Sequence, residues 1–251
     1  MTPTVTAIMP TLDRDVGPSL SALVPQVRDV IVARDVDREG PWRVFNRVAK
    51  LATDSGWLLL THDDVVLVPG AVGRLLAVAH EADAAVVGGL MRSLRDSANM
   101  GVYQAELAVT TRCVPTCLAK DDPTGGFRSV LAVPTSLLLI NAALWKHLGG
   151  FDDRYAMHDA DNDLCLRAWM AGARVVMSDT DMGTHVGSAS SDPDVRAADL
   201  RAFIDRWRSE LPIDDKDDVV VRGERHQVVR VIAPPSQLLS SGARPWAEQI
   251  R

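Results

Sequence analysis

The chain has 251 residues, 47% hydrophobic and 24% charged, with a formal net charge of −6. That is ample apolar material for a packed core, and one large α/β domain with a short tail is a better reading than two small domains. The acidic balance gives no global footprint for nucleic acid, and no apolar run approaches the ~20 residues that span a bilayer. The N-terminus shows no basic-then-apolar leader pattern, and the three cysteines lack the spacing of a zinc site, so a cytoplasmic protein is expected.

Thr4 to Met9 is β-rich and Pro10-Thr11 stops the run, which predicts a first strand ending in a loop that carries Asp13 and Arg14. Leu20 to Val27 is a helix candidate, and Asp29 to Ala33 a second strand ending at Arg34-Asp35-Val36-Asp37. A helix between two strands predicts a parallel pair. Trp42 to Ser55 sets Val44, Val48, Leu51 and Ala52 at helical spacing before Gly56. Trp57 to Thr61 is a continuous apolar run, as a strand buried on both faces requires, and it ends at His62-Asp63-Asp64.

Pro69-Gly70 opens a helix through Ala82, and Ala84 to Gly88 predicts a fourth strand. From Gly89 to about Pro134 the pattern weakens into loops and short strands suited to covering a site. Ser136 to Ile140 reads as a buried strand, Ala142 to Leu148 as a short helix, and Gly149-Gly150 as a turn. Asp161 to Ala171 is a helix closed by Gly172, Arg174 to Met177 the next strand, and Asp199 to Leu211 a helix with Leu200, Phe203, Ile204 and Trp207 on one face. Beyond Pro212 the composition shifts. Residues 214–218 form a charged linker, and Val219 to Ile232 suggests a hairpin around Arg222-Gly223-Glu224. The expected organisation is a domain over 1–212 and an extension over 213–251, the latter compatible with a flexible tail or with an arm for acceptor contact or self-association.

Three strands thus deliver Asp13, Asp35 and the Asp63-Asp64 pair to one sheet edge, the place where open α/β sheets bind ligands. Adjacent acids on a rigid edge offer a divalent cation hard oxygen ligands and leave positions open for phosphate. His185 would complete such a sphere, and imidazole suits Mn²⁺ better than Mg²⁺. A strand-end turn, where Asp is favoured for backbone reasons, accounts for the same acids without a metal. No GxxxxGK[ST] or GxGxxG cradle and no GxSxG elbow is present. A second acidic group, Asp159, Asp161 and Asp163, stands at the start of an apolar helix, where an N-cap is the bland alternative.

These motifs, in this order, resemble family 2 glycosyltransferases over roughly Thr4 to Leu211. Met9-Pro10-Thr11-Leu12-Asp13-Arg14 is similar to the family's opening Pro-Thr-Tyr-Asn-Arg loop, with Asp13 in place of Asn. Val30 to Asp35 resembles the second strand, whose terminal Asp reads the base. Asn46 matches the Asn of an Asn-x-Gly helix, although Val48 stands where Gly is usual. Gly149-Gly150-Phe151-Asp152-Asp153-Arg154-Tyr155 resembles the family's Gly-Gly-Phe-Asp-Glu-Arg-Phe, and Asp161 falls where the family places the Asp of Glu-Asp-x-Asp. Thr184-His185 and Phe203 to Trp207 follow in step. Two positions depart: His62 takes the first place of the DxD-like triplet, and Ala160 replaces the Glu.

The resemblance implies a GT-A, Rossmann-like fold, a mostly parallel sheet flanked by helices. It implies inverting transfer of a sugar from a nucleoside-diphosphate donor, most often a UDP-sugar, to an acceptor hydroxyl whose identity stays open. Asp161 would be the general base. Pro10, Thr11, Asp13, Arg14, Asp35, Asn46, His62 and Asp63 would bind the donor, while Asp64 and His185 would hold Mn²⁺ or Mg²⁺. Alternatives are a nucleotide-sugar-binding module without catalysis, suggested by His62 and Ala160, and a sugar nucleotidyltransferase, which the missing glycine-rich loop disfavours.

Overall fold

A computed structural model of the chain describes residues 4–52, 54–94, 103–110, 113–120, 122–187 and 192–212, with the backbone of 221–222 and 227–228. The sheet strands are β1 (Val5–Thr11), β2 (Asp29–Arg34), β3 (Trp57–Thr61), β4 (Val65–Leu67), β5 (Val86–Ser93), β6 (Tyr103–Val109), β7 (Pro115–Lys120), β8 (Phe127–Ser129), β9 (Leu137–Asn141) and β10 (Val175–His185). The helices are α1 (Gly17–Leu23), α2 (Pro41–Ala49), α3 (Ala71–Glu81), α4 (Ala142–Leu148), α5 (Ala160–Met170) and α6 (Pro193–Trp207). Along its main path the sheet runs β2-β1-β3-β9-β5-β10-β4. Strands β2, β1, β3, β5 and β10 share one direction; β9 and β4 run against it.

Strands buried on both faces sort their side chains into two cores. On β3, Leu58 and Leu60 enter the core under α2, α4, α5 and α6, while Leu59 enters the one under α1 and α3; β9 splits Leu138 and Ile140 from Leu137 and Leu139 in the same way. Each such leucine contributes about 1.5–3 kcal/mol of hydrophobic stabilisation. The sheet therefore holds its carboxyl edge rigid between two helical layers.

Several elements differ from the sequence reading, each for a local reason. β1 does not stop at Pro10 but continues through Pro10↔Ala33 and Thr11↔Arg34. Its pairing with β3 ends at Ile8↔Leu60, so the missing proline N–H falls where β1 no longer has β3 as a neighbour. α2 closes at Ala49, short of Ser55, and leaves Leu51 exposed. Much of the weakly patterned 89–134 stretch is strand: β5 runs to Ser93, and β6, β7 and β8 follow. β10 continues past Met177 to His185 through register shifts between Ser178 and Asp181 and between Asp181 and Gly183. Such bulges erase the alternation by which a strand is read. α6 starts at Pro193, where the Asp192 side chain accepts the Asp194 N–H.

In the extension, β11 (Val221–Arg222) and β12 (Gln227–Val228) pair antiparallel. The charged linker at 214–218 and the tail from 229 onward lie outside the described residues.

Candidate active site

The turn between β3 and β4 carries His62, Asp63 and Asp64, and the antiparallel pairing Val65↔His185 brings the end of β10 beside it. Ligand atoms of His62, Asp64 and His185 lie within 4.8 Å of one another on half-buried side chains. The two imidazoles meet edge to face at 5.5 Å. His185 Nε2 stands 3.3 Å from Asp64 Oδ1, yet it is buried and makes no directional hydrogen bond. Such a set of two nitrogens and a carboxylate oxygen, with a buried nitrogen left without a donor or acceptor, fits a Mn²⁺-type cation.

Electrostatics keep the cluster ready for a cation. Burial, then the neighbouring His185, push His62 down to about 4, so its ring is neutral and its lone pair available at neutral pH. Burial opposes the Asp64 charge, but His185, His62 and Arg14 outweigh it and hold the carboxyl at about 2. Asp63 is turned to a different task. Its Oδ2 accepts from Thr11 Oγ1 at 2.7 Å, and its carbonyl accepts from Ser19 Oγ at 2.9 Å, which pins the turn to β1 and α1. Arg14 reaches both acids, at 3.2 Å from Asp64 Oδ2 and 3.6 Å from Asp63 Oδ1.

Other predicted donor contacts lie apart from this cluster. Asp13, with φ 65°, is exposed and pairs with Arg34. Asp35 is buried, and its two oxygens accept the Glu39 and Gly40 N–H groups at 2.8 and 3.0 Å, closing the loop before α2. Asn46 is occupied by the glycine turn. Its amide donates to the Phe151 carbonyl at 2.8 Å and to Asp153 at 3.3 Å, while its oxygen accepts the Phe151 N–H at 2.8 Å. Gly150, at φ 78°, admits this bridge because a Cβ there would collide with the Asn46 oxygen.

Asp161 sits in the first turn of α5. Its Oδ2 accepts from Thr135 N at 3.2 Å and Thr135 Oγ1 at 3.0 Å, and its Oδ1 from Asn162 N at 3.1 Å. A helix N-terminus favours the ionised form, but burial dominates and pushes this carboxyl up. Thr135-Ser136 also connects Asp161 to the His62, Asp64 and His185 cluster, since Thr61 Oγ1, one residue before His62, donates to the Ser136 carbonyl at 2.9 Å.

Asp159, rather than Asp161, holds the N-cap position, in a left-handed conformation and without a side-chain cap bond. Burial and the charges of Asp161 and Asp199 raise it to about 7. Asp152 binds the Arg154 N–H and guanidinium within the turn. Asp163 is fully buried and joins Arg167 to Trp207, a structural duty that the acidic spacing alone did not reveal. Asp199 was also missed: its partners are backbone amides more than 40 positions away, which leave no mark in sequence.

No curated protein sequence matches the chain. A family model described as glycosyltransferase like family 2 matches residues 16–199. Among solved structures, GalNAc-T7 with UDP, GalNAc and Mn²⁺ superposes with a TM-score of 0.64 at 11% identity, over 83% of this chain and 48% of that one. S. aureus TarS 1–349 superposes with a TM-score of 0.51 at 15% identity, over 82% of this chain and 73% of that one. A longer S. aureus TarS structure gives 0.55 at 17%, over 80% and 39%. The chain spans about half the length of the GalNAc-T7 chain, and at these identities the likeness is one of fold. With the family match running through the strand edge, the acidic turn and the start of α6, the chain belongs to glycosyltransferase family 2 and has the GT-A fold.

Proposed function

We propose that the protein is an inverting, cation-dependent glycosyltransferase that moves a sugar from a UDP-type nucleotide donor to an acceptor hydroxyl. The observation that carries this reading is the convergence of His62, Asp64 and His185 at the carboxyl edge of the sheet. UDP and Mn²⁺ in the GalNAc-T7 structure, whose fold this chain shares, support the choice of ligands. A divalent cation held by these three side chains would supply positive charge to the diphosphate leaving group. Arg14, paired with the same acids, would bind the diphosphate beside it.

Asp161 is the base in this reading. Its raised carboxyl is a better proton acceptor than an ordinary aspartate, and Thr135 fixes its Oδ2 while leaving Oδ1 capacity for an acceptor hydroxyl. Proton removal from that hydroxyl as it attacks the anomeric carbon opposite the leaving group inverts the centre. A cytosolic setting belongs to the same reading and is supported by the buried thiols Cys113 and Cys165.

Calorimetry with UDP and Mn²⁺, followed by hydrolysis of a panel of UDP-sugars, tests this. Asp64→Asn should abolish Mn²⁺-dependent UDP binding. Asp161→Asn should keep binding and lose turnover by about 100-fold or more. Wild-type turnover in Asp161→Asn sinks the base assignment. Tight binding with no cleavage of any donor would identify a binding module instead.

A further inference from the structure

Asp199 is 2% exposed on the inner face of α6, and its carboxylate accepts three consecutive backbone N–H groups. Ala156 donates to Oδ1 at 2.8 Å; Met157 and His158 donate to Oδ2 at 2.9 and 2.7 Å. Its charge is thus met by amide dipoles and, among the described residues, by no ion pair.

The stretch it grips is the loop that leads directly into Asp159 and, two residues on, Asp161. Between the buried Tyr155 and Ala160, Ala156 and Met157 are exposed, Met157 at 42%, so their own side chains do not fix the backbone of this stretch. The carboxylate holds their amides. On its other side the loop meets Gly40, at φ 94°, where a Cβ would stand 2.7 Å from the Ala156 carbonyl oxygen. Gly40 N–H in turn binds Asp35 at 3.0 Å. The 156–158 loop is therefore held between α6 and the turn that follows the second strand.

We propose that Asp199 is a positioning residue for sugar transfer: by holding the 156–158 amides it sets where Asp159 and Asp161 stand relative to the donor. This rests on the transferase reading above. A buried carboxylate is costly to place, and a loop with an exposed tip does not need one merely to stay folded. A base that must meet an acceptor within hydrogen-bond reach does, because a displacement of about 1 Å costs on the order of 100-fold in rate.

Two variants test it, with UDP plus Mn²⁺ calorimetry and UDP-sugar hydrolysis as readouts. Asp199→Asn keeps the shape and loses the anionic acceptor. Met157→Pro removes one of the three donors from the loop side, at an exposed position, without touching α6. Each should bind UDP with Mn²⁺ within about twofold of wild type, hold its donor KM, and lose about 10- to 100-fold in kcat. Asp159 faces Asp161, Asp199 and Arg196, with His158 adjacent, and Asp199 is one of the charges that raise it. Neutralising Asp199 should therefore also ease the ionisation of Asp159, while the loss of kcat at unchanged donor KM and UDP affinity is the readout that a purely structural role would not give. Unchanged kcat in both variants overturns the inference alone, as does a loss of UDP affinity in parallel with kcat. If Asp199→Asn does not fold, Met157→Pro decides by the same criteria. A wild-type protein that hydrolyses no UDP-sugar overturns the transferase reading and this inference with it.

Discussion

The Trp207 indole N–H donates to Asp163 Oδ1 at 3.0 Å, and this bond ties α6 to the helix that carries Asp161. The other Asp163 oxygen accepts from Arg167 Nε at 2.7 Å, while Arg167 also donates to the carbonyls of Leu148 and Gly150 at 2.9 Å each. One buried ion pair thus joins α5, α6 and the glycine turn. Asp163→Ala leaves a guanidinium and an indole N–H without their acceptor, and should destabilise the protein by about 3–5 kcal/mol. Urea denaturation measures it; a change below about 1 kcal/mol would mean that water replaces the carboxylate.

Asn46 discriminates a structural from a donor-binding role. Asn46→Ala removes the two-way bridge to Phe151 and should cost about 2–3 kcal/mol of stability. The UDP affinity of the folded variant should stay within about twofold of wild type. Loss of UDP binding with stability intact would return Asn46 to the donor site.

Arg14 pairs with Asp64 at 3.2 Å, so under the proposed function it would compete with a cation for that carboxylate. Arg14→Ala should bind Mn²⁺ alone a few-fold more tightly, because the exposed guanidinium no longer screens the acid. The same variant should bind UDP with Mn²⁺ about 10-fold more weakly, having lost a phosphate partner. Calorimetry of the two titrations, each in both proteins, reads the opposite signs; a shift of both in one direction would contradict the assignment.

Asp159 makes a pH-dependent contribution to stability. Its folded pKa, about 7, is raised above the ordinary carboxylate value of 3.8, so the folded protein holds the proton where the unfolded chain has released it. Stability from this residue is present in full below about pH 4 and declines as pH rises through about 7. Asp159→Asn should flatten that decline, gaining about 1–2 kcal/mol more at pH 8 than at pH 4, with water at the half-buried carboxylate limiting the effect. The comparison between pH values cancels any benefit from Asn in the left-handed region. Equal gains at both pH values would show that Asp159 ionises freely.

What was legible in the sequence had a continuous pattern bounded by strong punctuation. β3 lies between Gly56 and the acidic turn and α4 between Asn141 and Gly149, and both elements fall where their residues place them. The sequence pattern of β10 ends at Met177 because its bulges break the period at Ser178, just where the strand turns toward the site. The sequence pattern of α6 begins only at Asp199 because its first turns, Pro193 to Ala198, carry only Val195 and alanines as apolar residues beyond the proline. The acids at the sheet edge could be found by type and order, but their division of labour could not. Asp63 and Asp64 are neighbours in sequence, yet one holds Thr11 and the other faces His185, a distinction made by pairing between β4 and β10.

β9 lies between β3 and β5 and runs antiparallel to both, although β5 precedes it in the chain. During synthesis β3 must therefore wait, with Leu58, Leu59 and Leu60 on an open edge, until residue 141 has left the ribosome. Open apolar edges template intermolecular pairing. Nascent chains in which β3 has emerged and β9 has not will be aggregation-prone, and a holding chaperone has its points of need on the β9-facing edges of β3 and β5.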